Sequence, residues 1–441
     1  MDTKKLQVEV LDKPVGILTP GEPPKYVFTY LPDTPASHFV SLTMPVRAES
    51  YVWNEGLHPA FQMNLPEGYQ KELLRQKLGR LMPVDDFGLL ALTGNRGIGR
   101  VTMRPYGQEV SKTADVAIAD ILARPDSRQA LLNVLPDLLL ANVSGVMPKL
   151  AGTATESLPP GQDKRLTAVT SDWILKTGRQ DTPGIAINEH LCMNLAREIG
   201  LPVPETSLSN DGEVFAIRRF DRDQDGSRLG LEDFCSLMGM PPHEKYDATM
   251  EGIAKHLYIW CAEAERIPSA KRLIDMLVLN VVVHNADAHA KNYAVLYSDQ
   301  NDATLAPVFD VVTVAAYPEY SQSPFALSVG GRKTWNLRKE LDRFCVERLN
   351  LATSTVSDSL EKIAAGMQKV VPRIEHFALK YPSFREAGKR MLRFWDTGLH
   401  TMTGKNATFV KVDFRAPKLS KEKPKQKRRK SKRRKNPEKM N

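Results

Sequence analysis

Nine consecutive residues, His284-Asn285-Ala286-Asp287-Ala288-His289-Ala290-Lys291-Asn292, bring a carboxylate, two imidazoles, an ammonium and two carboxamides into one short segment. Asp287 is followed five residues later by Asn292. Phosphoryl-transfer sites of the protein-kinase kind use this spacing: the aspartate accepts the proton of the attacking hydroxyl, and the asparagine ligates magnesium on the phosphates. The pair alone also fits a polar turn between a helix and a strand. The residues downstream favour the metal site. A strand at 293–297, a turn at 298–302 and a second strand at 304–309 return the chain to Asp310. A hairpin of that length delivers a second carboxylate beside the first pair, and magnesium takes hard oxygen ligands from one or two carboxylates plus substrate phosphates. No cysteine or third histidine stands at ligand spacing, so His284 and His289 are expected to serve as hydrogen-bonding groups. The run His243-Glu244-Lys245-Tyr246 carries little catalytic content on its own.

The elements that must position these groups appear upstream in order. Ser144-Gly145, followed by Lys149, can form a tight turn whose backbone N–H groups face phosphate, although it is no Walker motif. Lys176 ends the strand Trp173-Ile174-Leu175-Lys176, from which its ammonium could reach nucleotide phosphates. Glu189 lies near the start of an amphipathic helix, 187–199, where it could pair with Lys176 or simply favour the first helical turn. Gly200, Pro202 and Pro204 stop that helix. An apolar strand at 213–220 then runs into Arg-Arg-Phe-Asp-Arg.

Around this order the chain divides near residue 225 into a β-rich and an α-rich half. The β-rich half opens with short β-branched or aromatic runs at 6–11, 26–31 and 39–44, a helical pattern at 69–81, and a strand near 101–104. A Leu-rich helix at 130–140 is expected to break at Pro136, and 151–167 reads as a Gly/Pro/Ser/Thr-rich connection. Helical patterns at 246–263, 270–284, 356–367 and 384–395 fill the second half.

The 441 residues carry a formal net charge of +9, which invites a nucleic-acid-binding reading. The distribution withdraws it from the fold. Lys418–Asn441 holds thirteen Lys or Arg against two Glu, a net of +11, so the other 417 residues sum to −2. The tail is expected to be disordered, and either functionless or a salt-sensitive, non-specific anchor to polyanions such as DNA. The four cysteines are widely spaced without a C-x-x-C pair, and no apolar stretch is long enough for a membrane span, so a reduced, cytoplasmic protein is expected.

The sequence resembles the HipA family of bacterial serine/threonine kinases, the toxins of HipA–HipB modules. The resemblance is carried by Val143-Ser144-Gly145-Val146-Met147-Pro148-Lys149, Ile174-Leu175-Lys176, Asn188-Glu189, Leu195-Ala196-Arg197-Glu198-Ile199-Gly200-Leu201, Arg219-Phe220-Asp221-Arg222, Asp287-Ala288-His289-Ala290-Lys291-Asn292 and Leu305-Ala306-Pro307-Val308-Phe309-Asp310. Val15-Gly16-Ile17-Leu18-Thr19, Ser41-Leu42-Thr43-Met44-Pro45 and Asn64-Leu65-Pro66-Glu67 match its N-terminal subdomain, so coverage runs from about 8 to 400. It implies an α+β fold, two-lobed and protein-kinase-like, with a small β-rich N-terminal subdomain (1–105), an ATP-binding N-lobe (106–225) and a helical C-lobe (226–410); the basic tail (411–441) lies outside the resemblance.

The resemblance further implies Asp287 as catalytic base, Asn292 and Asp310 as Mg²⁺ ligands, Lys176 on the ATP phosphates and Ser144, Gly145, Val146, Met147, Pro148 and Lys149 as the phosphate loop. Arg218, Arg219 and Phe220 would lie beside the adenine, with further nucleotide contacts from His289, Ala290, Lys291 and Phe309. Asn142 stands where some members carry an autophosphorylated serine, which makes Ser144 the candidate site in its place. Arg218 stands where a glutamate is common. The implied partners are a HipB-like helix-turn-helix antitoxin, through it DNA, and a protein substrate such as an aminoacyl-tRNA synthetase. The alternative is a kinase-fold binding protein that acts with a DNA-binding antitoxin and touches nucleic acid through its tail; a small-molecule phosphotransferase is a third reading.

Overall fold

The computed structural model describes residues 4–68, 71, 74, 85–108, 117–139, 165–179 and 181–404. The expected phosphate loop, Ser144 to Lys149 with Asn142 before it, and the basic tail lie outside the described residues, as does most of the helix expected at 69–81.

The N-terminal unit is an antiparallel sheet in the order β4-β3-β2-β1-β5, built from β1 (Leu6–Val10), β2 (Lys13–Pro20), β3 (Tyr26–Tyr30), β4 (Tyr51–Trp53) and β5 (Val101–Pro105). Leu11 and Asp12 turn β1 into β2 with φ of 52° and 61°, the left-handed pair that suits the twist of a two-residue hairpin. Leu6, Val8, Phe28 and Phe61 pack with Leu89 and Leu90 of the helix Asp86–Thr93 to form a separate small core. The segment 39–44, expected as a strand, is a tight turn in which only Ser41 and Met44 bridge. Its polar groups are spent elsewhere: Ser41 Oγ and the Leu42 N–H both donate to the buried Glu232 carboxylate of another unit.

A second antiparallel sheet, ordered β6-β7-β9-β8, combines β6 (Arg165–Val169), β7 (Trp173–Gly178), β8 (Thr206–Leu208) and β9 (Val214–Arg218). β6 occupies the end of the stretch read as a connection; Leu166 and Ala168 alternate inward there, too few residues to stand out against the flanking polar sequence. The helix Ser127–Leu139 continues through Pro136 rather than breaking. The helix Ile185–Glu198 follows β7 and packs on the long helix Thr355–Lys380. Gly184 opens it at φ 69°, and a Cβ there would stand 2.9 Å from Phe384, so both conformation and space require glycine.

Helices Met250–Trp260, Arg266–Val282, Arg338–Leu349, Thr355–Lys380 and Arg385–Thr403 form the third unit around the largest core. A small antiparallel sheet, β10 (Gly230–Asp233), β11 (Ala294–Tyr297) and β12 (Thr304–Leu305), lies against it. The expected second hairpin strand is thus cut short at Leu305; beyond it the Val308 N–H donates to the Pro202 carbonyl instead of a strand partner. β10 and the helix Arg338–Leu349 carry no strong sequence signal. All four cysteines are buried and unbonded to one another, and no described helix is long and apolar enough to cross a membrane.

The N-terminal unit is joined to the rest by buried polar contacts. Glu232 also accepts from Tyr297 Oη at 2.7 Å. Arg100 lies over the rings of Phe39 and Tyr297 and donates to the Phe39 and Ser298 carbonyls. The Gly99 N–H donates to Asp221 at 2.6 Å.

Candidate active site

The helix Arg266–Val282 is buried over most of its length and aims its C-terminal end at the segment 284–292. His284 then takes a left-handed conformation, φ 53°, and stacks on Trp335. The turn is held by Asn285, whose N–H and Nδ2 both bond to Asn280 and whose Oδ1 accepts from the Asp287 N–H. Asn292 Nδ2 donates to the Asp287 carbonyl at 2.9 Å. The amide nitrogen being committed, the Asn292 oxygen is the end left to serve as a ligand.

Asp310, also left-handed at φ 63°, is brought to the same place from the other side of the hairpin. Lys176 joins the two lobes at this point. Its ammonium lies 2.7 Å from Glu189 and 2.7 Å from Asp310, with the Glu189 side chain wholly buried. A second tie runs in parallel: Asn188 and Thr313 exchange hydrogen bonds, Nδ2 to carbonyl at 3.0 Å and N–H to Oδ1 at 2.9 Å. The helix that bears Glu189 is therefore fixed to the segment that bears Asp310.

Of the residues expected beside the adenine, Phe220 stacks on Phe309 with ring centroids 5.4 Å apart. Arg218 turns its guanidinium outward to Glu205. Arg219 is buried, donating from Nε and Nη2 to Asp221, from Nη1 to the Thr170 carbonyl and from Nη2 also to the Gly97 carbonyl, so its side chain braces the units rather than facing a ligand. Burial works to raise the Asp221 pKa, but Arg219 and Arg222 outweigh it and hold the carboxyl below its usual range.

Lys291, expected among the nucleotide contacts, directs its ammonium to Glu67 and to the Met63 carbonyl. Lys245 meets the other oxygen of Glu67 at 2.7 Å. Burial alone would lift the Glu67 pKa; the two ammonium groups overcome it and hold it down at about 2. Lys245 also accepts the Ala290 N–H at its carbonyl, and Tyr246 Oη donates to Asp287 Oδ1 at 2.5 Å. The segment 243–246, which in sequence carries little catalytic content, is thus in direct contact with the proposed base. Nothing in the sequence signalled it, since the pairing spans 41 residues. His289 is buried with its ring edge-on to Tyr246, and burial lowers its pKa to about 4, so it is neutral at physiological pH.

The donor set suits magnesium: one carboxylate, Asp310, and the amide oxygen of Asn292, with phosphates to complete the shell. Among the described residues no group of three or more His, Cys, Asp or Glu gathers as a self-sufficient metal site. A strand lysine paired to a helix glutamate, facing D-x-x-x-x-N and a hairpin aspartate across two lobes, defines the class: an α+β, two-lobed, protein-kinase-like fold with a β-rich N-terminal unit and a mainly helical C-lobe.

Comparison with known proteins narrows this. The family models described as HipA-like C-terminal domain and HipA N-terminal domain match residues 141–372 and 6–104. The chain belongs to the HipA family. It is 34% identical over 315 residues to a Sinorhizobium fredii protein named "Putative kinase Y4mE", covering 67% of this chain and 73% of that one. It is 23% identical to the serine/threonine-protein kinase toxin HipA of Shewanella oneidensis, covering 58% of this chain and 63% of that one. A chain in the structure of the Shewanella oneidensis toxin–antitoxin system HipA, HipB and operator DNA complex superimposes with a TM-score of 0.65 at 17% identity, over 90% of this chain and 97% of that one.

Proposed function

We propose that this chain is an ATP- and Mg²⁺-dependent protein serine/threonine kinase that acts as a HipA-type toxin. The observation that carries the reading is the Lys176 bridge between Glu189 and Asp310, set opposite Asp287 and Asn292. Catalysis of phosphoryl transfer is mostly positioning and charge stabilisation, and these are the groups that supply both. Lys176 would hold the ATP phosphates, with Glu189 fixing its ammonium. Asn292 and Asp310 would hold magnesium, which when bound neutralises developing charge on the phosphates. Asp287 would orient the acceptor hydroxyl and take its proton as the hydroxyl oxygen bonds to the γ-phosphorus and ADP departs. Phe220, Phe309 and the loop from Ser144 to Lys149 would complete the nucleotide site, with Ser144 the candidate for autophosphorylation.

Family membership supports a small helix-turn-helix antitoxin of the HipB kind as partner, with DNA approached through it, and a cytoplasmic protein substrate such as an aminoacyl-tRNA synthetase. The charge of Lys418–Asn441 supports a second, compatible reading, in which the tail adds non-specific contacts to nucleic acid.

The test is incubation of the full chain with radiolabelled ATP, Mg²⁺ and bacterial lysate, compared with Asp287→Ala. Label transfer is expected for the wild type and is expected to fall by at least about 10²-fold in the variant, a general-base effect, while calorimetry shows nucleotide binding retained. Equal labelling by both proteins refutes Asp287 as base; no labelling by either, with ATP bound, favours the binding-protein alternative.

A further inference from the structure

The N-terminal unit reaches the proposed catalytic segment through the Glu67 carboxylate and the Met63 carbonyl. Glu67 takes Lys245 on one oxygen and Lys291 on the other, and the Met63 carbonyl takes a further bond from Lys291. These two lysines belong to different stretches that lie side by side. Lys245 precedes Tyr246, whose hydroxyl sits on Asp287; Lys291 precedes Asn292, whose amide holds the Asp287 backbone. The stretches are also joined directly by the Ala290 N–H on the Lys245 carbonyl, and Lys333 pins the Tyr246 carbonyl at 2.7 Å. Remove Glu67 and two neighbouring ammonium groups, both mostly shielded from water, repel each other across the place where these stretches meet.

We propose that Glu67 is a positioning residue for phosphoryl transfer: by clamping Lys245 and Lys291 together, the N-terminal unit seats the Tyr246 hydroxyl on Asp287 and sets the direction of the base. The proposal rests on Asp287 being that base. Tyr246 is the arm of the clamp. Its hydroxyl gives Asp287 Oδ1 a fixed donor and so sets the direction in which the carboxylate is held. The N-terminal unit is then a working part of the kinase and not only a platform for partners. Small displacements of a catalytic group cost large factors in rate while leaving substrate binding largely intact.

The test uses full-length protein and steady-state phosphorylation of a lysate-derived or generic protein substrate, with Glu67→Gln, Tyr246→Phe, the double variant and Asp287→Ala in parallel. Glu67→Gln is expected to lower kcat by about 10- to 100-fold with KM for ATP changed by less than about threefold. Tyr246→Phe leaves the clamp lysines in place and is expected to lower kcat in the same direction. The double variant is expected to lose no more than the worse single variant, since both act through one contact. Glu67→Asp, which keeps the charge, is expected to recover part of the rate. Thermal melting checks that each variant is folded; if Glu67→Gln does not fold, Tyr246→Phe alone decides. A folded Glu67→Gln or Tyr246→Phe with kcat within twofold of wild type, while Asp287→Ala is inactive, overturns the clamp and leaves the kinase reading standing. Wild type and Asp287→Ala of equal activity overturn both. Losses that multiply in the double variant, or that fall on KM rather than kcat, also overturn the clamp.

Discussion

Replacing Lys176 by methionine tests the centre of the site through stability as well as through activity. Methionine keeps the length and apolar stem of lysine, so the change removes the ammonium and little else. At 2.7 Å and an effective dielectric constant of about 20, each contact of that ammonium is worth about 6 kcal/mol before desolvation. Most of this merely offsets the burial of three charged groups. What the substitution exposes is the cost of a buried carboxylate that has lost the Lys176 ammonium, and the Glu189 side chain is wholly buried. Breaking such a pair from one side costs about 3–5 kcal/mol. Asp310, partly open to solvent, contributes less. Urea unfolding of wild type and Lys176→Met should show that loss, and adding Glu189→Gln should recover about 1–3 kcal/mol of it by removing a buried charge. ATP, which should raise the midpoint of the wild type, should leave that of Lys176→Met nearly unchanged. A Lys176→Met protein within about 1 kcal/mol of wild type, or a double variant less stable than the single, would refute the claim that this lysine neutralises a buried carboxylate.

Two other outcomes rest on charge. Asp233 caps the short helix Phe234–Leu237 through the Ser236 N–H, and burial, with Glu67 and Glu232 nearby and Lys291 opposing, raises its pKa from 3.8 to about 6. A carboxyl raised in the folded state binds its proton more tightly there than when unfolded, so its share of stability is present below about pH 4 and is lost as pH climbs through 6. Asp233→Asn, which can still cap, should therefore be more stable than wild type at pH 7 by up to about 3 kcal/mol, with the difference vanishing near pH 4 in urea titrations; an unchanged difference across that range contradicts the assignment. Deleting Lys418–Asn441, which moves the net charge from +9 to −2, should weaken binding to non-specific duplex DNA and flatten its salt dependence. Equal affinity of both forms in a salt titration dismisses the tail as an anchor.

The parts of the site that are legible in the sequence are those encoded within one or two elements. Asp287 and Asn292 stand in a single turn, Asp310 at the end of the next hairpin, and Lys176 and Glu189 on consecutive elements, so spacing alone can propose them. Glu67, Lys245 and Tyr246 are invisible as a group because their meeting depends on packing between units; Glu67 finds Lys291 across 224 residues. Arg219, which the resemblance places beside the nucleotide, is in the fold taken up by its near neighbour Asp221 and by the distant Thr170 and Gly97 carbonyls. Helices with long apolar stripes are legible while their ends are not: the one read as 356–367 extends over Thr355–Lys380. Strands such as β10, four residues paired with a distant partner, owe their existence to that partner and leave little trace in local composition.

The seam between the N-terminal unit and the helical lobe bears on whether that lobe can stand alone. Glu232 is satisfied there by Ser41, Leu42 and Tyr297, and Arg100 is threaded between Phe39 and Tyr297. A chain that shed its first hundred residues would strand that glutamate without two of its three donors and uncover the ring face that Arg100 occupies. Removal of this unit is therefore expected to destabilise the helical lobe through a buried acid that has lost Ser41 and Leu42, and replacing Glu232 by an apolar residue is expected to recover part of that loss.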